Sequence, residues 1–143
     1  SIFLGGKEVR AHHFSRGHTN GDAIIEFVGT GIIHTGDMFV QGSPFIDYSV
    51  GASAVDWDKT LAAVLAMNFD RVIPGHGPVS TRSDVERWRE QFATLRARMR
   101  QLTRNTKNAE EAAKQLKLDD LPGWNLQGSL ERSISGLYEE LSR

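Results

Sequence analysis

Three short stretches hold residue types that can do chemistry: Gly17-His18-Thr19-Asn20-Gly21-Asp22, His34-Thr35-Gly36-Asp37 and Pro74-Gly75-His76-Gly77. Each sets an imidazole or a carboxylate beside glycine. A glycine has no Cβ, so backbone there can approach a small ion or a neighbouring loop closely. Neutral imidazole with carboxylate is a borderline-soft ligand set that suits zinc, with manganese or iron also accommodated. Three protein ligands and an open position match a catalytic zinc better than a closed structural one. Taken singly, each stretch has an ordinary alternative. A loop histidine commonly serves surface hydrogen bonding, and Asp37 can hold a turn by bonding its own backbone. Their occurrence together, in this order and each flanked by glycine, favours one shared site.

The elements that would position them follow from periodicity. Short runs at 9–14, 23–28 and 31–34 read as strands, and Gly29-Thr30-Gly31 marks a hairpin between the last two. Residues 39–50 carry glycine, proline and aromatics without a period and read as a loop. From Ser53 the period becomes helical, with Trp57, Leu61, Val64 and Leu65 on one face and Ser53-Ala54-Val55-Asp56 as a capping box. Residues 69–73 form a short strand closed by Pro74, so the order strand–helix–strand predicts an α/β layer. A second capping box, Ser83-Asp84-Val85-Glu86, opens a long helix whose stripe of Val85, Trp88, Phe92, Leu95, Met99 and Leu102 faces a core. The arginines from Arg82 to Arg104 alternate with carboxylates and read as a solvated face. Asn108 caps a shorter helix to about Leu116, Leu121-Pro122-Gly123 breaks the chain, and Leu130, Ile134, Leu137, Tyr138 and Leu141 mark a last amphipathic helix. The chain thus reads as one partial domain over 1–143, with a sheet and ligand loops in 1–78 and a helical region in 79–143.

Composition narrows the function classes. With no cysteine among 143 residues there is no disulfide, no thiolate nucleophile and no cysteine-type zinc site. A formal net charge of -1 supplies no field for nucleic acid or an anionic membrane. No apolar run approaches the roughly 20 residues of a membrane span. The compartment stays open between cytoplasm and periplasm. Ser1-Ile2-Phe3-Leu4 starts directly in an apolar run and turns at Gly5-Gly6, which reads as a chain beginning mid-fold, with any signal peptide upstream.

As a set, the three motifs resemble the second half of the metallo-β-lactamase-fold hydrolases: a Gly-His-Thr-x-Gly-Asp segment, a Thr-Gly-Asp after a strand, then Pro-Gly-His-Gly. The resemblance covers about 9–78 well and the helical tail more loosely. It implies an α/β (α+β) fold, the C-terminal half of an αββα sandwich with about four to five strands before the helical tail. It also implies a binuclear zinc site: His18 on the first metal, His76 on the second, Asp37 bridging both, and Thr19 and Asp22 fixing the ligand loop by hydrogen bonds. A hydroxide held between the metals would attack an ester, thioester or amide. Asp37 at the bridging position resembles the thioesterase, glyoxalase and general hydrolase branches more than the lactamase branches that place cysteine or serine there. Phe39, Phe45, Tyr48 and Trp57 follow the metal loop and either wall a substrate pocket or pack ordinarily.

One departure matters as much as the match. The first-half motif His-x-His-x-Asp-His is absent, and histidines occur only at 12, 13, 18, 34 and 76. Adjacent His12 and His13 project to opposite faces of a strand and cannot substitute for it; with His34 they read as structural. Three ligands shared between two metals leave both under-coordinated, so the expectation is weak or absent metal binding by this chain alone. The other half would lie elsewhere in a longer protein or on another polypeptide, and the exposed sheet would associate with that half or with a second copy as a dimer. The alternative to a hydrolase is a non-catalytic, oligomerising interaction module derived from the same fold.

Overall fold

The computed structural model describes residues 1–143. Six strands form one sheet in chain order: β1 (Ile2–Leu4), β2 (Lys7–His12), β3 (Ile24–Phe27), β4 (Ile32–Gly36), β5 (Arg71–Pro74) and β6 (Ser80–Thr81). The first four make an antiparallel meander. Helix α1 (Ala54–Ala66) then crosses over, so β5 pairs parallel to β4, and β6 returns antiparallel. The hairpin at Gly29-Thr30-Gly31 forms as expected, with Phe27 opposite Ile32. Strand β6 exceeds the expected count because two residues are too few to show a period.

Side chains alternate across the sheet. Ile24, Ile33, Thr35 and Val72 point inward and are buried, joining one core with Trp57 and Leu61 of α1 and with Val85, Trp88, Phe92, Leu95 and Met99 of α2 (Arg82–Asn105). That stripe is the face expected from the helical spacing. Helices α3 (Ala109–Gln115) and α4 (Ser129–Leu141) pack on the far side of α2, adding Ala112, Leu130, Ile134 and Leu137 to the same core. The opposite sheet face has no cover. Val9, Phe27, Ile32 and Ile73 line a shallow apolar groove there of about 370 Å³. At its edge Ile2, Phe3 and Leu4 of β1 are 71, 72 and 81% exposed. No helix is long and apolar enough to cross a membrane.

Helix starts differ in detail from the expected boxes. Ser53 does cap α1, its hydroxyl accepting from the Asp56 N–H at 3.0 Å. Asp56, however, turns away to Arg16 and Lys59. The α1 N-terminus is closed instead by Glu140 of α4, whose carboxylate accepts from the Ser53 hydroxyl at 2.5 Å and the Ala54 N–H at 2.9 Å. The box on α2 sits two residues earlier than expected, with both the N–H and the hydroxyl of Thr81 donating to Asp84 at 2.8 Å.

The α2 arginines are also more than a solvated face. Arg89 and Arg96 hold Asp58 of α1, each at 3.0 Å, and Arg82 donates to the carbonyls of Leu65 and Met67 at the end of α1. They clamp the covering helices together.

Candidate metal centre

Strand direction gathers the three motifs. β3 runs against both β2 and β4, and β5 runs with β4, so β2, β4 and β5 share one direction and end at one edge of the sheet. His18 lies in the loop leaving β2, Asp37 follows β4 directly, and His76 follows β5. Ligands commonly bind beyond the carboxyl ends of strands in such layers.

Each loop is held locally. In the first, Asp22 accepts from the N–H of Thr19 at 2.8 Å and from its hydroxyl at 2.9 Å, closing the turn. The Thr19 hydroxyl in turn accepts from the Gly21 N–H at 3.1 Å. The Gly17 carbonyl takes the Ser53 N–H and the His18 carbonyl takes the Asp47 N–H, tying this turn to the start of α1 and to the loop after Asp37. A Cβ on Gly17 would stand 2.3 Å from the sulfur of Met38, so a side chain there would require the buried Met38 side chain to shift.

In the second loop the β4–β5 register shifts between His34 and Gly36, a bulge that turns Asp37 out of the strand. Gly36 sits at φ +52° and its N–H donates to Nδ1 of His34 at 3.0 Å, so His34 holds the bulge. The third loop lies against the second: the Gly75 N–H donates to the Phe39 carbonyl at 3.1 Å and the Gln41 N–H to the His76 carbonyl at 3.0 Å. A Cβ on Gly75 would fall 1.9 Å from Oδ1 of Asp37 and 2.7 Å from the Gly36 carbonyl carbon. The glycine beside His76 is therefore a requirement of close approach.

The result is a shared carboxylate between two imidazoles. Asp37 turns Oδ2 toward Nε2 of His18 and Oδ1 toward Nε2 of His76, each at 3.4 Å. Two ligand atoms, each about 2.0–2.2 Å from one tetrahedral zinc, stand about 3.4 Å apart by simple geometry. Nδ1 of His18 lies 2.7 Å from the Phe45 carbonyl, which fixes that nitrogen as the N–H and leaves Nε2 with its lone pair toward Asp37. These are residue types and spacings of the kind that zinc donors have, with Asp37 shared between the two imidazoles. No group of three His, Asp or Glu side chains converges on a point that could hold a metal ion. His18 is 16% exposed and His76 is 76% exposed, so the site is sheltered on one flank and open on the other.

The cleft above this pair has a volume of about 420 Å³ and is lined by Val40, Gln41, Ser43, Phe45, Ser129 and Arg132 besides the three motif residues. Of the four aromatics considered for a substrate wall, only Phe45 lines it. Phe39 and Trp57 are fully buried, and Tyr48 packs its ring on Gly136 and donates its hydroxyl to Glu140 at 2.7 Å. Burial, then the Glu140 carboxylate, push the Tyr48 phenol far above its ordinary range. Trp57 and Trp88 work from beneath, donating to the carbonyls of Met38 at 3.0 Å and Gly42 at 2.7 Å, which steadies the loop after Asp37. His12 pairs with Glu26 at 2.7 Å and His13 reaches the Asp22 carbonyl at 2.8 Å, both away from Asp37. Arg132 and Ser129 had no signature in the sequence, since the fold alone carries α4 to the cleft, and Gln41 and Ser43 lie in the aperiodic loop after Asp37.

This arrangement, a mixed sheet with helices on one face and donor loops at one edge, is part of the metallo-β-lactamase fold. The chain superposes on the metallo-β-lactamase FIM-1 from Pseudomonas aeruginosa in its mono-zinc form with a TM-score of 0.52 and 22% identity, over 66% of this chain and 45% of that one. For the metallo-β-lactamase DIM-1 the values are 0.55 and 20%, over the same shares of 66 and 45%. A double mutant of the sec-alkyl sulfatase PisA1 matches at 0.73 and 19%, over 94% of this chain and 24% of that one. The chain therefore spans less than half the length of these lactamases and about a quarter of the sulfatase. No protein-family model and no curated protein matches it.

Proposed function

We propose that this chain is the C-terminal half of a zinc-dependent hydrolase site acting on an ester, thioester or amide. The observation that supports this most directly is Asp37, with one oxygen turned to His18 and the other to His76, each at 3.4 Å. When bound there, zinc lowers the pKa of a water toward neutrality and polarises the oxygen under attack. The chain's own work is to orient donors. The Phe45 carbonyl sets the His18 tautomer, the bulge at His34 aims Asp37, and Gly75 lets the His76 loop close on it. The buried Trp57 and Trp88 keep water from beneath the loop.

Two protein donors per zinc are too few for a closed hold, so the remaining ligands come from a partner layer. The uncovered sheet face, with Val9, Phe27, Ile32 and Ile73, is the surface on which that layer docks: the missing N-terminal half, or a second copy of this chain. Apolar residues on both faces of one sheet are the mark of a sheet covered on both sides.

Zinc titration of the chain, followed by the imidazole NMR signals, tests the reading. Because two donors hold zinc only weakly, the titration runs to millimolar zinc; there His18 and His76 should both shift, and Asp37→Ala should abolish both shifts while leaving the circular dichroism unchanged. Identical responses in the two proteins would reject the metal site and leave a non-catalytic association module on the same fold.

A further inference from the structure

The cleft carries one charge that metal binding does not use. Arg132 on α4 lines it together with His18, Asp37 and His76. Its guanidinium lies over the ring of Phe45, 4.2 Å from the centroid. That placement is built from two sides. The next residue, Ser133, is buried, and its hydroxyl accepts the Ile46 N–H at 2.8 Å, pinning α4 to the Phe45–Ile46 peptide. The Phe45 carbonyl in turn receives Nδ1 of His18 at 2.7 Å. Arg132 is thus fixed relative to a metal-facing imidazole through a single residue.

Most arginines of the chain have a use within it: Arg89 and Arg96 bind Asp58, Arg98 binds Asp120, Arg16 binds Asp56, and Arg82 closes the end of α1. Arg132 pairs with no carboxylate. Asp37, the one carboxylate of the cleft, faces the two histidines instead. A guanidinium stacked on an aromatic ring keeps its in-plane N–H donors free at its rim, a fork that matches a carboxylate, sulfate or phosphate in bidentate fashion. We propose that Arg132 is a specificity residue that binds an anionic group on the substrate, holding a negatively charged molecule in the cleft with its scissile bond toward Asp37. This rests on reading the cleft as the substrate site.

The test uses the chain without zinc, so that failure of the metal reading leaves it interpretable. Inorganic sulfate and acetate are titrated separately at constant ionic strength, with chloride as balance, and followed by amide and arginine-side-chain NMR. The expectation is saturable shifts at Ser129, Arg132 and Phe45 with at least one anion, weakened roughly tenfold or more in Arg132→Gln, as loss of a charged hydrogen-bond pair predicts. Arg132→Lys should retain part of the affinity, and Arg104→Gln, at an exposed arginine on α2, should bind as the parent does. A response to sulfate alone assigns a sulfate or phosphate group, and a response to acetate alone a carboxylate. No saturable shift with either anion overturns the proposal. So does equal weakening by Arg132→Gln and Arg104→Gln.

Discussion

Ile32 and Ile33 are neighbours on β4, as are Val72 and Ile73 on β5 and Ile24 and Ile25 on β3. In each pair one member is buried in the core and the other stands half-buried on the uncovered side. The residue types are nearly the same, so composition does not separate the two faces; cover does. On the inner face α1 and α2 supply a continuous layer of Trp57, Leu61, Trp88 and Phe92, clamped by arginine. On the outer face the same strands offer Val9, Phe27, Ile32 and Ile73 to solvent. That outer face is mixed, with Lys7, His34 and Arg71 sharing it with Val9, Phe27, Ile32 and Ile73. The difference teaches that burial on this sheet is set by which face α1 and α2 cover.

The sharpest way to break that comparison is to shorten one isoleucine at a time. Ile33→Ala should cost about 2–5 kcal/mol in urea denaturation, because it opens a cavity in a packed core. Ile32→Ala, one residue along, should cost about 1 kcal/mol or less, since little apolar area leaves water there. Equal losses would mean that the outer face is covered in solution and that the comparison is wrong.

The edge where the loops meet is packed as tightly as the covered face, and glycine shows it. Gly75→Ala forces the new methyl against the Asp37 carboxylate and the Gly36 backbone. We expect a loss of about 1–3 kcal/mol, as for overpacked sites, together with loss of the zinc-induced shift of His76. Gly21→Ala meets no atom within 4 Å and should change neither. A Gly75→Ala protein with parental stability and parental zinc response would show that the loops do not meet as described.

Much of this was legible in the sequence, and for identifiable reasons. The hairpin at Gly29-Thr30-Gly31, the parallel β4–α1–β5 unit and the α2 stripe follow from period and turn chemistry, which are local. The convergence of His18, Asp37 and His76 was legible because glycine must accompany a close approach, and each motif carries one. The second capping box was misplaced because Thr81 and Ser83 both precede an acid by three residues, Asp84 and Glu86. Only the β5–β6 pairing decides that the helix starts after Thr81. Arg132 lies on the exposed side of α4 and Glu140 on the border of its buried face beside Ser133, positions where any charged residue satisfies the amphipathic pattern. Their partners, Ala54 and Phe45, are more than eighty residues away in the chain, and nothing in local spacing encodes that distance.

The outer face can be tested directly for its capacity to associate. Phe27→Ser should weaken any self-association in sedimentation equilibrium by about tenfold, or about 1.4 kcal/mol, while leaving the monomer's denaturation midpoint nearly unchanged. If the parent chain is monomeric at millimolar concentration, a second copy is ruled out as the cover.

The smallest effect concerns the clamp that keeps the inner face covered. The Asp58 carboxyl is held below its ordinary range first by the hydrogen bonds from Arg89, with Arg96 adding to them and burial opposing. A group depressed in the folded state stabilises above its unfolded pKa, about 3.9 for aspartate. That contribution fades as pH falls through the lower folded value. Asp58 and Arg89 are each about a third exposed, so the pair contributes about 1 kcal/mol or less. Asp58→Asn should therefore lower the urea midpoint slightly at pH 7, and the gap to the parent should close as pH falls below about 4. The closure follows because protonated Asp58 no longer binds the two arginines as a charge. A gap that persists unchanged into acid would make Asp58 a packing residue, and the inner cover would then owe its hold to apolar contact alone.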